Sequence, residues 1–327
     1  ITESTTLKDL YIWGCSYTPQ KGESFILNQN LRSLDCDDVM WTNLFPNVST
    51  LVIPLRNSEG LITLLKNCPH VKIATLCITY ESISARTAQE ISSYWTKLED
   101  LTVCGRDNMM HESVACELIL QCPQLRSLCT KEVSSVPTST VTYPSNYQGY
   151  RLHTCNIQCM EASTLLFLIS RCLYLHTLHL RGTAVVLPTH VQPVTAVLDH
   201  IRDTNVRTLH LHGYSTLSDV HIANLHGANL EILSIAEIKA GLSDHAMLQL
   251  LPTLTLLHTL KIRHCTVLTE QLVLKIPRTC PTLHTFWYVN YSGCDKCKST
   301  GGSKSDKVIA SMMHELHPQI KDCYILC

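Results

Sequence analysis

The sequence predicts an α/β solenoid, in which short parallel strands form one face and helices the other. Three observations carry that prediction. An apolar pattern, L-x-x-L-x-L with other apolar residues allowed, recurs along the whole 327-residue chain. Helix-start signals recur between its copies. A Cys-Pro pair stands at a fixed distance before several of them. Fixed-period self-similarity of this kind is the signature of a repeat architecture, where each unit buries its apolar face against its neighbours.

The first positions of the pattern are Leu7, Leu31, Val48, Val71, Leu98, Leu125, Leu152, Leu175, Val206, Leu230, Leu257, Leu283 and Ile320, about 26 residues apart on average. The L-x-L portion alternates, which predicts a short strand with one buried face. Between strands lie helical stretches such as 112–120, 162–169 and 244–251. Ser218-Asp219, Ser243-Asp244 and Thr269-Glu270 read as helix starts. The hydroxyl oxygen accepts a free N–H of the first turn, and the following acid suits the positive end of the helix dipole. Helices are expected to end at Cys68-Pro69, Cys122-Pro123 and Cys280-Pro281, because Pro disfavours helical geometry in the residue before it. Cys172 occupies the same place without the Pro. One continuous core then accommodates residues 1–327 as a single solenoid of about 13 units. The stretches 131–150 and 291–307 replace helix-like sequence with turn-forming, β-forming and polar residues, and are expected to be inserted loops.

The segment Leu257–Leu283, LHTLKIRHCTVLTEQLVLKIPRTCPTL, resembles the cysteine-containing subtype of leucine-rich repeat, best known from the substrate-binding half of F-box ubiquitin-ligase receptors. The resemblance implies a leucine-rich-repeat solenoid, a curved horseshoe with a parallel concave sheet and convex helices. It also implies a protein partner on the concave face. A Skp1-like adaptor follows only if an F-box lies upstream, since nothing before Leu7 supplies one.

A strand that buries positions one, four and six of the motif turns positions three, five and seven to the opposite face. Early units place Asp9, Tyr11, Trp13, Ser33, Asp35, Asp37 and Asp100 there. Later units place Thr177, His179, Arg181, Thr208, His210, His212, Thr259, Lys261, Arg263, Trp287 and Tyr324. The face is therefore acidic and aromatic at its start and basic near its end. His179, Arg181, His210, His212, Lys261, Arg263 and Trp287 are the candidate partner-binding residues, because Arg and aromatic side chains are the usual anchors of protein interfaces. His179, His210 and His212 lie at matching strand positions, where a pair of imidazoles could bind a metal or respond to pH near 6.5; solvated contact residues are the expectation.

Other chemistry finds little support. Cys294 and Cys297 have the C-x-x-C spacing of two zinc ligands, but a lone pair is a weak metal signal and no metal or cofactor is expected. No phosphate loop, dinucleotide fingerprint, nucleophile elbow or H-E-x-x-H motif occurs. Ser, His and Asp are spread along an axis rather than converging, so an enzyme is not expected. With 26 Lys+Arg against 27 Asp+Glu, the net charge is −1, and bulk charge offers nothing to nucleic acid. No apolar run approaches the roughly 18–20 residues of a membrane span. Seventeen cysteines, an odd number, cannot all pair internally. Their periodic placement reads as small buried hydrophobes in a reducing, cytoplasmic or nuclear, compartment. The expected function is protein recognition as the substrate-binding part of a cullin-type ubiquitin-ligase receptor. The alternative is a repeat scaffold or sensor without ubiquitin chemistry, similar to innate-immune receptor repeats or ribonuclease inhibitor.

Overall fold

The computed structural model describes residues 8–12, 31–36, 46–55, 58–78, 83–105, 110–130, 133–134, 151–158, 162–182, 191–214, 217–289 and 320–326. The chain forms two compact units, one of Ile1–Cys159 with Arg171–Tyr174, the other of Met160–Ser170 with Leu175–Cys327. The expected inserts 131–150 and 291–307 lie outside the described residues, except for Val133 and Ser134.

The first unit contains β1 (Asp9–Ile12), β2 (Ser33–Cys36), β3 (Thr50–Leu55), α1 (Ser58–Asn67), β4 (Ile73–Ile78), α2 (Ala85–Tyr94), β5 (Asp100–Gly105), β6 (Met110–His111), α3 (Glu112–Gln121), β7 (Ser127–Thr130), β8 (Val133–Ser134) and β9 (Thr154–Gln158). Its main strands pair in parallel in the order β1-β2-β3-β4-β5-β7-β9. The two-residue strands β6 and β8 pair separately. The second unit contains α4 (Ala162–Arg171), β10 (Thr177–Arg181), α5 (Val191–Ile201), β11 (Thr208–His212), α6 (Asp219–Ala223), β12 (Ile232–Ala236), α7 (Asp244–Leu250), β13 (Thr259–Arg263), α8 (Glu270–Thr279), β14 (Thr285–Val289) and β15 (Asp322–Leu326). Its strands pair in parallel in sequence order. Each is a stretch of leucine-rich-repeat solenoid, with alternating strand and helix and every main strand beginning two residues after a predicted first motif position.

The apolar motif positions form the cores. Leu178, Leu209, Leu233, Leu260 and Phe286 occupy position four of successive units and are fully buried. They are also Cα partners in the ladder, so identical positions stack on one another along the unit. The backbone between strands is satisfied by a repeated device. The carbonyl at motif position two accepts two N–H groups from the next repeat: Lys72 O from Glu99 and Asp100, and Arg207 O from Glu231 and Ile232. The strand ladder thereby begins before the strand does, which gives these backbone groups their partners.

Two of the three helix signals act as expected, with one addition; at Ser218 the hydroxyl instead lies 2.8 Å from His221 Nδ1, and the Ser218 N–H donates to the same nitrogen at 2.9 Å. Ser243 Oγ accepts from Ala246 N, and Thr269 Oγ1 from Gln271 N. The acid after the cap also reaches the next repeat. Asp219 accepts from Ser243 N at 2.7 Å and from Ser243 Oγ at 2.7 Å. Asp244 accepts from Thr269 N at 2.9 Å and from the Thr269 hydroxyl. Each carboxylate thus clamps the cap of the following helix, a charge-assisted contact that ties helix to helix. Cys68, Cys122, Cys172 and Cys280 directly follow the ends of α1, α3, α4 and α8. All four are buried, and none is in a disulfide. Burial pushes the thiols of Cys68, Cys122 and Cys172 up to about 12, with Cys36 adding to the effect at Cys68 and Cys116 at Cys172. These are packing residues, held far from the thiolate form.

Candidate functional site

The predicted basic residues gather on the helix-free face of the second unit. Strand register aligns them in two rows. One row runs His179, His210, Ser234, Lys261, Trp287 and Tyr324; the other runs Arg181, His212, Ala236, Arg263, Val289 and Leu326. The register follows from the buried alternation: Leu178 and Leu180 are 0% and 1% exposed, so His179 and Arg181 face the other way. At about 4.8 Å per strand step, β10 and β14 lie about 19 Å apart, well inside one interface of standard size.

Neighbours within the rows are in contact. The rings of His179 and His210 stack with centroids 3.9 Å apart and planes 2° from parallel. Stacking half-buries both rings, where sequence reasoning expected them solvated and titrating near 6.5. Burial, helped by the Arg181 charge, lowers His179 to about 4. Burial first, then His179, Lys261 and Arg263, lowers His210 to about 4. Both are therefore neutral at pH 7, and neutral imidazoles stack without mutual repulsion.

A second contact crosses the same strands. Arg181 Nε donates to His212 Nδ1 at 3.2 Å. Arginine has no acceptor, so Nδ1 is the acceptor and Nε2 carries a ring proton. That nitrogen lies 3.2 Å from Glu237 Oε1, to which it donates. Glu237 is a residue the motif spacing could not flag. It lies one position beyond β12 with φ 58°, a left-handed conformation uncommon for a non-glycine residue, and its N–H bonds to Arg263 O. His264 repeats the arrangement one strand on, with φ 53° and its N–H on Val289 O. Gly213 holds the same place after β11 with φ 73°. There a Cβ would meet Gly182 O at 3.2 Å, and a Cβ on the facing Gly182 would meet Gly213 O at 2.7 Å.

Further along, Lys261 Nζ lies 5.4 Å above the Trp287 ring, a cation–π contact. Trp287 is 39% exposed. Between His210 and Lys261 the row drops to Ser234, and between His212 and Arg263 to Ala236, both buried beneath their neighbours. The second unit thus presents a shallow notch flanked by imidazoles on one side and by Lys261, Arg263 and Trp287 on the other. Arg181, Lys261 and Arg263 are three cations around this notch, with the Glu237 carboxylate beside His212. Thr259, expected on this face, is buried instead at 8% exposure, and its hydroxyl lies 3.0 Å from His258 Nδ1.

The first unit carries the residues expected at the acidic, aromatic start. Tyr11 is 70% exposed, Asp9 is exposed, and Asp35 and Asp100 are half-buried. Burial, with Glu99 beside it, raises the Asp100 carboxyl, and Arg126 partly offsets the effect. Trp13, Asp37, Cys294 and Cys297 lie outside the described residues. Among the described residues no group of three or more His, Cys, Asp or Glu is placed to hold a metal ion, and no helix is long and apolar enough to cross a membrane.

The class that the strand–helix repeat defines is the leucine-rich-repeat type. No family model and no curated protein matches the chain significantly. Among solved structures, it is similar to one described as the complex of yeast Rad7 and Elc1, at 17% identity and a TM-score of 0.49, covering 90% of this chain and 75% of that one. It is also similar to an internalin (inlF) of Listeria monocytogenes, at 15% identity and a TM-score of 0.49, covering 88% of this chain and 81% of that one.

Proposed function

We propose that the chain is a protein-recognition module without catalytic activity, and that the helix-free face of the second unit binds an acidic protein surface. The observation that carries the reading is the arrangement of Arg181, Lys261, Arg263 and Trp287 around the Ser234–Ala236 notch. It joins fixed positive charge, an exposed indole and stacked neutral imidazoles on a rigid sheet, which costs little entropy to hold in place. Electrostatic complementarity of this kind favours a carboxylate-rich partner and speeds its encounter. In its narrower form the reading is that of the substrate-binding part of a cullin-type ubiquitin-ligase receptor, cytoplasmic or nuclear, joined to a Skp1-like adaptor through an F-box. The cysteine-containing repeat of Leu257–Leu283 supports it. So does the cysteine chemistry, since none of the eleven cysteines whose side chains are described is in a disulfide.

The test is affinity purification from native cells, followed by calorimetry of the captured partner with wild type and with Arg181→Ala/Lys261→Ala/Arg263→Glu/Trp287→Ala. The variant is expected to fold, because none of the four is in the core, and to lose about 2 kcal/mol or more of binding if these residues are desolvated anchors. Undiminished binding by the folded variant removes the site from this face. Capture of a Skp1-like adaptor and cullin supports the narrower reading; a partner set lacking both leaves the repeat as a scaffold or sensor.

A further inference from the structure

The first unit carries a thiol pair that the recognition reading does not use. Cys77 and Cys104 are Cα partners in the parallel pairing of β4 with β5. Both occupy position seven of their motifs, on the helix-free face, and both are half-buried rather than enclosed. Their sulfur atoms lie 2.9 Å apart. Cys104 Sγ also lies 3.7 Å from Leu76 O, which steadies it beside the neighbouring strand. The other described cysteines differ. Cys36, Cys68, Cys116, Cys122, Cys155, Cys172, Cys265 and Cys280 are buried. Cys129 faces Thr102 and Asn156 in the ladder, with Asn156 Nδ2 on its sulfur. Among the described residues, Cys77 and Cys104 are thus the one cysteine pair in register.

From this geometry we infer that Cys77 and Cys104 form a dithiol modification site that is oxidised to a disulfide by small-molecule disulfides of the oxidised-glutathione class. Strand spacing of about 4.8 Å falls within the 4.4–6.8 Å Cα range of disulfides, so neither strand has to leave its register. The chemistry takes two exchange steps. One cysteine, as its thiolate, attacks a sulfur of oxidised glutathione, forming a mixed disulfide and releasing one glutathione. The second cysteine gives up its proton, attacks the protein sulfur of that mixed disulfide and releases the second glutathione. The two protein thiols lose two electrons, and the one glutathione disulfide gains them as two thiols. The second step is intramolecular between adjacent sulfurs, so it outruns attack by free glutathione. The product staples two successive repeats across α2. Dithiol reductants reverse it by the same exchange.

The sequence makes the site easy to read. Cleavage after Lys and Arg places Cys77 alone in peptide 73–86 and Cys104 alone in peptide 98–106. The reduced full chain is titrated with oxidised glutathione, quenched in acid, alkylated and mapped by mass spectrometry. The expected result is a linked 73–86/98–106 peptide, two glutathiones released for each link, no lasting adduct on either cysteine, and full reversal by dithiothreitol. Half-conversion is expected at a concentration at least about tenfold below that for any buried cysteine. In Cys77→Ser the glutathione adduct on Cys104 should persist, and in Cys104→Ser the adduct on Cys77, because each lacks its resolving partner. Stable mixed disulfides on the wild-type pair without the linked peptide overturn the inference. So does protection of both thiols in a chain whose circular dichroism is native, or linkage of either one to a different cysteine.

Discussion

Lowering the pH from 7.5 to 4 should charge the stacked imidazoles of His179 and His210 and weaken the second unit where they meet. Both folded-state values lie near 4, below the ordinary value of 6.5. The unfolded chain therefore binds protons first as the pH falls. By linkage, the stabilisation from keeping the rings neutral is fully present above about pH 6.5 and is lost as the pH falls toward 4. At about 1.4 kcal/mol for each pH unit between the two values, a fully enclosed ring would lose on the order of 3 kcal/mol. These rings keep partial solvent contact, so screening reduces the figure to about 1–2 kcal/mol each. The groups that set the shift are Arg181 beside His179, and His179, Lys261 and Arg263 around His210, each secondary to burial. The direct assay is a proton NMR titration of the ring signals, assigned through His179→Asn and His210→Asn. Each ring should titrate well below 5.5, and His179→Asn should move His210 upward, because it removes the largest charge effect on that ring. Ring values at or above 6.5 in the folded protein, or a His210 value indifferent to His179→Asn, would refute the stacking argument. Hydrogen exchange of the β10 and β11 amides should accelerate across pH 6.5 to 4 beyond the acid trend of other strands.

Three other outcomes follow from packing. Leu178→Ala should destabilise the second unit by about 2–5 kcal/mol in chemical denaturation, since it empties a fully buried position; a loss under 1 kcal/mol would contradict the register. Thiol labelling of the native chain should leave Cys68, Cys122, Cys172 and Cys280 unreacted until unfolding, and a bridge between any two of them would defeat their reading as packing residues. Asp244→Ala should cost about 1–3 kcal/mol, because it strips two hydrogen bonds from the Thr269 cap of the next helix. Asp244→Asn should recover part of that loss, whereas equal stability for Asp244→Ala and wild type would remove the clamp.

Much of this protein was legible in one dimension, because a solenoid is built from local repetition. The L-x-x-L-x-L spacing located the thirteen main strands, and alternation assigned Leu178 and Leu180 to the core and Arg181 and Arg263 to the surface. Ser243-Asp244 and Thr269-Glu270 marked helix starts, and Cys-Pro marked helix ends. These features depend on contacts within about 26 residues, which periodicity records. What happens between repeats did not show. Spacing placed His179 opposite His210 but could not say that the rings stack, lose water and fall to about 4. Glu237 was invisible because a left-handed backbone residue turns it back toward His212. Thr259 reads as exposed and is buried, with its hydroxyl 3.0 Å from His258 Nδ1. The second role of Asp219 and Asp244, as acceptors for the next cap, appears only when helices lie side by side. The facing sulfurs of Cys77 and Cys104 likewise needed the strand register, since 27 residues of chain separate them. Sequence determined which face most strand residues occupy, because side-chain alternation is a property of the strand alone. The tertiary structure decided each residue's neighbours and protonation, because those depend on the distance between repeats and on the water excluded there.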